Sequence, residues 1–200
     1  MTAILAFFGA FNPPTLAHLE LARFAMEQTG REKVLFVPSK SAYIREEQGK
    51  DYAYSDQQRL AMLRAAAEKR PWMAVTDWEM RQPRQPRTYD TLCHLRDMGY
   101  APSLLLGSDK LPELETVWTN VDRICKEFGM VCLARGGDPC GQMLRQDAYL
   151  RSLSPYIQLL ETPPDFRALS STAVRRAVAQ YRALEREIKA MVPEEVFGLL

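Results

Sequence analysis

Two hundred residues are enough for one domain with a sizeable core. Lys plus Arg (26) nearly balances Asp plus Glu (25), so the net charge is +1. That excludes the basic excess of a general nucleic-acid or membrane-surface binder, and any phosphate recognition has to be local. Four cysteines without a CxxC pair and only two histidines argue against a zinc site and for reduced thiols in a cytoplasmic protein. No signal-peptide pattern opens the chain, and no apolar run has the length of a membrane span.

Strands and helices alternate. The apolar run Ala3–Phe8 predicts a buried strand, and Leu16–Gln28, ending near Gly30, predicts a helix with one apolar side. Lys33–Val37 is a second strand, closed by Pro38. Ser39 to Tyr54 is polar and lacks a sustained period, so it reads as a long loop, and such loops are often functional. Ser55-Asp56 caps a helix to about Lys69, with Leu60, Leu63, Ala66 and Ala67 as its apolar contacts. Met73–Thr76 is a third strand. The Pro- and Arg-rich stretch from Trp78 to Arg87 reads as a loop, and Thr88–Met98, stopped by Gly99, as a helix. Ser103–Leu106 is a fourth strand that runs into Gly107-Ser108-Asp109. A helix over about Asn120–Phe128 and a fifth strand, Met130–Leu133, come next. The turn Gly136-Gly137-Asp138-Pro139 leads to a helix ending near Leu153, then to a sixth strand, Tyr156–Leu160. Ser171 to about Tyr181, Ala183–Met191 and Pro193–Leu200 read as C-terminal helices. Apolar strands alternating with helices imply an α/β fold. Its parallel sheet is covered on both faces and binds ligands beyond the strand C-termini.

The stretch Gly9-Ala10-Phe11-Asn12-Pro13-Pro14-Thr15-Leu16-Ala17-His18 is a strand-to-helix turn. Gly9 admits a close backbone or phosphate, and Asn12-Pro13-Pro14 forces the turn. Thr15 serves as helix N-cap, which puts His18 in the first helical turn. Free N–H groups and the helix dipole point the same way as His18, which makes an anion site. The pattern is neither GxxxxGK[ST] nor GxGxxG. It resembles the G-x-F-[N/D]-P-x-[H/T]-x-x-H signature of the nucleotidylyltransferases. GAFNPPTLAHL is most similar to nicotinate- and nicotinamide-mononucleotide adenylyltransferases, with Thr15 as in their eukaryotic-type branch.

Three further stretches extend the resemblance. Ser170-Ser171-Thr172-Ala173-Val174-Arg175 opens a helix with three hydroxyls and an arginine one turn in. Alone it reads as an ordinary N-cap with a solvated Arg; it resembles the I-S-S-T-x-[I/V]-R motif that binds the triphosphate. Gly107-Ser108-Asp109 resembles the G-[A/S]-D motif near the adenosine ribose, and alone it reads equally as a polar turn. Trp78-Glu79 and Trp118 resemble the D-x-W-E and L-W-K-D elements, and Thr88 falls in a stretch similar to Y-T-x-D-T-L. Either Trp could also be a plain core or rim aromatic.

The resemblance implies a Rossmann-like, doubly wound parallel sheet with a short C-terminal helical region. One domain would cover residues 1–200, with a core to about 165 and helices over 166–200. The implied activity is adenylyl transfer from ATP to nicotinate (or nicotinamide) mononucleotide in NAD biosynthesis. His18, Thr15 and Arg175 would be catalytic. Gly9, Ala10, Phe11, Asn12, Gly107, Asp109, Ser170, Ser171 and Thr172 would join His18 and Arg175 in binding ATP. Trp78, Glu79, Thr88, Trp118, Arg135, Lys40 and Arg45 would bind the mononucleotide, with only one of Lys40 and Arg45 on phosphate. Mg²⁺ would arrive with ATP and take no protein side chain as ligand. The protein would be a cytoplasmic monomer or homo-oligomer, without nucleic-acid or membrane partners. Two alternatives are a related enzyme with another acceptor, such as phosphopantetheine, and a nucleotide-binding regulator without catalysis.

Overall fold

The computed structural model describes residues 1–46, 54–134, 139–162, 171–180 and 185–200. Within these residues six strands form one sheet: β1 (Thr2–Gly9), β2 (Lys33–Pro38), β3 (Met73–Val75), β4 (Tyr100–Gly107), β5 (Met130–Ala134) and β6 (Ile157–Glu161). All neighbours run parallel, in the order β3-β2-β1-β4-β5-β6. The chain winds outward from β1 to β3, returns to the centre and winds outward again through β5 to β6. The direction therefore reverses between β1 and β4.

Side chains alternate across the sheet, and both faces are buried. On one face Ile4, Ala6, Leu104, Leu106, Met130 and Cys132 meet several helices. Among them are α5 (Thr88–Asp97), α6 (Val121–Phe128) and α8 (Ala148–Leu153), which contribute Leu92, Leu95, Ile124 and Leu150. On the other face Leu5, Val34, Phe36, Leu105 and Val131 pack on α1 (Leu16–Thr29) and α3 (Asp56–Glu68). That face also receives Val174 of α9 (Ser171–Gln180), Ile188 of α10 (Glu185–Met191) and Val196 of α11 (Glu194–Phe197). So the C-terminal helices complete the layer that α1 and α3 begin.

Two stretches read as loops contain short helices: α2 (Ser41–Glu46) and α4 (Trp78–Arg81). Neither spans two full turns, too little for a periodic apolar pattern to register. The helix expected up to Leu153 is two, α7 (Cys140–Gln146) and α8. Asp147 divides them, its carboxylate accepting the Leu150 N–H at 2.8 Å as the cap of α8. A 3₁₀ helix over Ser108–Glu113 follows β4. The boundary expected near residue 165 lies outside the described residues. Among the described residues no helix is long and apolar enough to cross a membrane.

Candidate active site

A cleft of about 730 Å³ opens beyond the C-terminal ends of β1 and β4. This is the switch point of the sheet, where doubly wound folds bind ligands. One wall is the turn after β1, with Gly9, Ala10, Phe11 and His18. Gly107 and Asp109 come from the end of β4, and Trp118 from the segment beyond. Glu79 and Thr88 line the far side.

The turn is built around Phe11, whose backbone has φ of 45° and whose ring is buried. A Cβ on Gly9 would meet that ring at 3.0 Å, so Gly9 makes room for Phe11 as well as bordering the cleft. At Gly107 a Cβ would lie 2.6 Å from the Asp109 carboxylate, which folds back over the strand end.

Thr15 caps α1 and locks His18. The Thr15 N–H donates to His18 Nδ1 at 3.1 Å, and the Thr15 hydroxyl lies 2.7 Å from the same nitrogen. The hydroxyl also receives the His18 N–H, which closes a capping box. An accepting Nδ1 assigns the ring proton of the neutral imidazole to Nε2, across the ring from the cap. Thr15 itself is fully buried. It is absent from the cleft lining and borders the cleft through its contacts with His18.

The start of α9 clasps the same turn from the far end of the chain. Ser171 donates its hydroxyl to the Pro13 carbonyl at 2.8 Å. Arg175 Nη1 donates to the Asn12 carbonyl at 2.7 Å, and Nη2 to the Thr172 hydroxyl at 3.2 Å. The Asn12 side-chain oxygen accepts the Tyr54 N–H at 3.3 Å. Asn12 is buried with both oxygens used internally, so it shapes the turn. Ser170 and Arg135 lie outside the described residues.

Residues 6–177 match the family model described as cytidylyltransferase-like. The chain belongs to this family. Among similar proteins is a probable nicotinate-nucleotide adenylyltransferase/Ap4A hydrolase of Mycoplasma pneumoniae. It is 33% identical over 151 residues, which cover 74% of this chain but only 42% of that longer protein. A nicotinamide/nicotinic acid mononucleotide adenylyltransferase 2 of Caenorhabditis elegans is 29% identical, over 99% of this chain and 94% of its own. The solved nicotinic acid mononucleotide adenylyltransferase of Plasmodium falciparum, complexed with NaAD, shares the fold. Its TM-score is 0.74 at 17% identity, over 100% of this chain and 94% of that one.

On this cytidylyltransferase-like frame several expected ligand contacts are engaged elsewhere. Trp78 stacks on His94 and does not line the cleft. Lys40 donates its ammonium to the Met80 and Gln82 carbonyls at 2.7 and 2.6 Å, which ties the segment after β2 to α4. Arg45 is exposed on α2 and also lies outside the cleft lining. Glu79 is buried, accepts the Thr91 hydroxyl at 2.6 Å and receives the Gln85 amide. Burial pushes its carboxyl up to about 7, against the opposing pull of those two donors. Lys110 and Glu113 also border the cleft, paired at 3.0 Å. Burial lowers the Lys110 ammonium, but Glu113 and Asp109 outweigh it and hold it above its ordinary value.

Cleft residues that the sequence did not single out include Tyr43, Gln85, Lys110 and Glu113. Another missed residue, Arg59, lies beneath the cleft, fully buried. It shares the inward face of α3 with Met62, Leu63 and Ala66, at i+3, i+4 and i+7. An arginine in that register is the pattern that could have revealed it.

Proposed function

We propose that the protein transfers the adenylyl group of ATP to nicotinate mononucleotide, and more slowly to nicotinamide mononucleotide. The products are the dinucleotide and pyrophosphate. The observation that carries this reading is the His18 ring, locked by Thr15 at the mouth of the switch-point cleft. The names of the relatives support the substrate class.

A phosphate oxygen of the mononucleotide attacks the α-phosphorus of ATP, and the bond to the bridging oxygen of the pyrophosphate breaks. Such a transfer needs donors around a charged phosphorus more than it needs a base. His18 Nε2 supplies one donor where charge grows. Ser171 and Arg175, at the opening of α9, hold the outer phosphates. Gly107 and Asp109 receive the adenosine side, and Trp118, Thr88 and Glu79 the pyridine side. Among the described residues no group of three His, Cys, Asp or Glu side chains could hold a metal ion. A Mg²⁺ ion would arrive with ATP and neutralise charge on its phosphates.

The test is pyrophosphate release from ATP over a panel of nicotinate mononucleotide, nicotinamide mononucleotide and phosphopantetheine. Release with nicotinate mononucleotide is expected to dominate. Release with phosphopantetheine alone, or with no acceptor, would overturn the proposal.

A further inference from the structure

Among the described residues Arg59 is the largest fully buried side chain, and a buried guanidinium needs every strong partner it can find. Its partners are not in one element. Nη1 donates to the Ala10 carbonyl, in the turn after β1. Nη2 donates to the Ser39 carbonyl at 2.6 Å and to the Ser41 hydroxyl at 3.2 Å, in the segment after β2. Nη2 also meets the Asp56 carboxylate at 2.7 Å. That carboxylate in turn accepts the Ser41 N–H at 2.9 Å and its hydroxyl. Ala10, Ser39 and Tyr43, which sits on α2 just past Ser41, all line the cleft.

The fork therefore holds two cleft walls at a fixed separation from below. It also sets the direction of one peptide. In a trans peptide the carbonyl and the following N–H point opposite ways. With the Ala10 carbonyl turned down onto Arg59, the Phe11 N–H turns up. No hydrogen bond among the described residues uses that N–H. We infer that Arg59 is a positioning residue that aims the Phe11 N–H into the cleft as a donor to the nucleotide phosphates, and that Asp56 and Ser41 lock it in place. Lysine cannot substitute, because one ammonium cannot span the Ala10 and Ser39 carbonyls in the geometry of a planar fork. The inference rests on the reading of the cleft as an adenylyl-transfer site.

The first test uses the parent protein with ¹⁵N labelling. On addition of ATP, the Phe11 amide resonance is expected to shift. A parent that releases pyrophosphate while its Phe11 amide stays unmoved overturns the aiming role and leaves the proposed function intact. The second test is kinetic. Arg59→Lys, with native circular dichroism, is expected to lose about tenfold or more in kcat, less than the roughly hundred- to thousandfold cost of removing an aimed donor outright, because the Phe11 N–H is misdirected and not deleted. The mononucleotide KM should change little, and the ATP-dependent Phe11 shift should disappear. A merely structural role would lower Tm without selectively erasing that shift. If Arg59→Lys does not fold, Asp56→Asn takes its place, with a smaller kcat loss and a diminished shift. Unchanged kcat and an unchanged shift in a folded variant would refute the inference.

Discussion

The indole of Trp78 lies flat on the imidazole of His94, with ring centroids 4.3 Å apart and planes within 14°. The stack joins α4 to α5 and occupies one face of the indole. Of the two tryptophans Trp78 and Trp118, it is Trp118 that borders the cleft, so it is the one expected to stack on a pyridine ring. Trp118→Ala is expected to raise the mononucleotide KM about tenfold, in line with the loss of one aromatic stack, while the ATP KM holds. Trp78→Ala should mainly lower Tm. Steady-state kinetics and thermal melts separate the two, and a larger KM effect at Trp78 would reverse the assignment.

His18→Ala should lower kcat by about a hundredfold or more, with ATP binding retained, because its donor matters most as charge develops. Thr15→Val keeps the bulk but removes the hydroxyl beside Nδ1. It should cost about 1 kcal/mol of stability through the lost cap and lower kcat by less than His18→Ala does. Denaturant titration and single-turnover rates check both. Parent-like turnover in His18→Ala would remove the imidazole from the chemistry.

Arg175 sits one turn into α9 with its guanidinium on the Asn12 carbonyl. Arg175→Ala is expected to weaken ATP far more than AMP, which lacks the outer phosphates. Calorimetry with both ligands decides this. Equal losses would mean that the arginine only fastens α9 to the turn.

Glu79 is expected to make the choice between the two mononucleotides depend on pH. Its carboxyl is neutral below about 7 and charged above. A charged Glu79 repels a nicotinate carboxylate and accepts a nicotinamide N–H. The ratio of kcat/KM for nicotinate over nicotinamide mononucleotide should therefore fall as pH rises through about 7, and Glu79→Gln should flatten it. Stability follows the same group. Its pKa is raised from 4.5, so the native protein holds a proton that the unfolded chain releases. The contribution is fully present below 4.5 and is lost as pH rises to about 7, by about 3 kcal/mol in all. Urea titrations on either side of that window should show a smaller difference in Glu79→Gln than in the parent.

The strands were legible because each is a short apolar run bounded by a turn, and the parallel sheet followed from their alternation with helices. Their order across the sheet was not, since no local pattern says that β4 returns to pair with β1. At the cleft, His18, Gly9 and Gly107 were found through local spacing. Lys40 and Trp78 have residue types that suit a ligand, but Lys40 is tied to the helix α4, hidden in a Pro-rich stretch, and Trp78 of that helix stacks on His94 of α5. Arg59 escaped notice because a charge on a helix ordinarily reads as solvated. Only the register with Met62 and Ala66 places it inward.

The clasp of Ser171 and Arg175 on Pro13 and Asn12 joins points about 160 positions apart in the chain. During synthesis every strand of the sheet leaves the ribosome before α9 does. The turn after β1 is therefore fastened only once every strand has been made, and a chain that stops before α9 lacks that clasp.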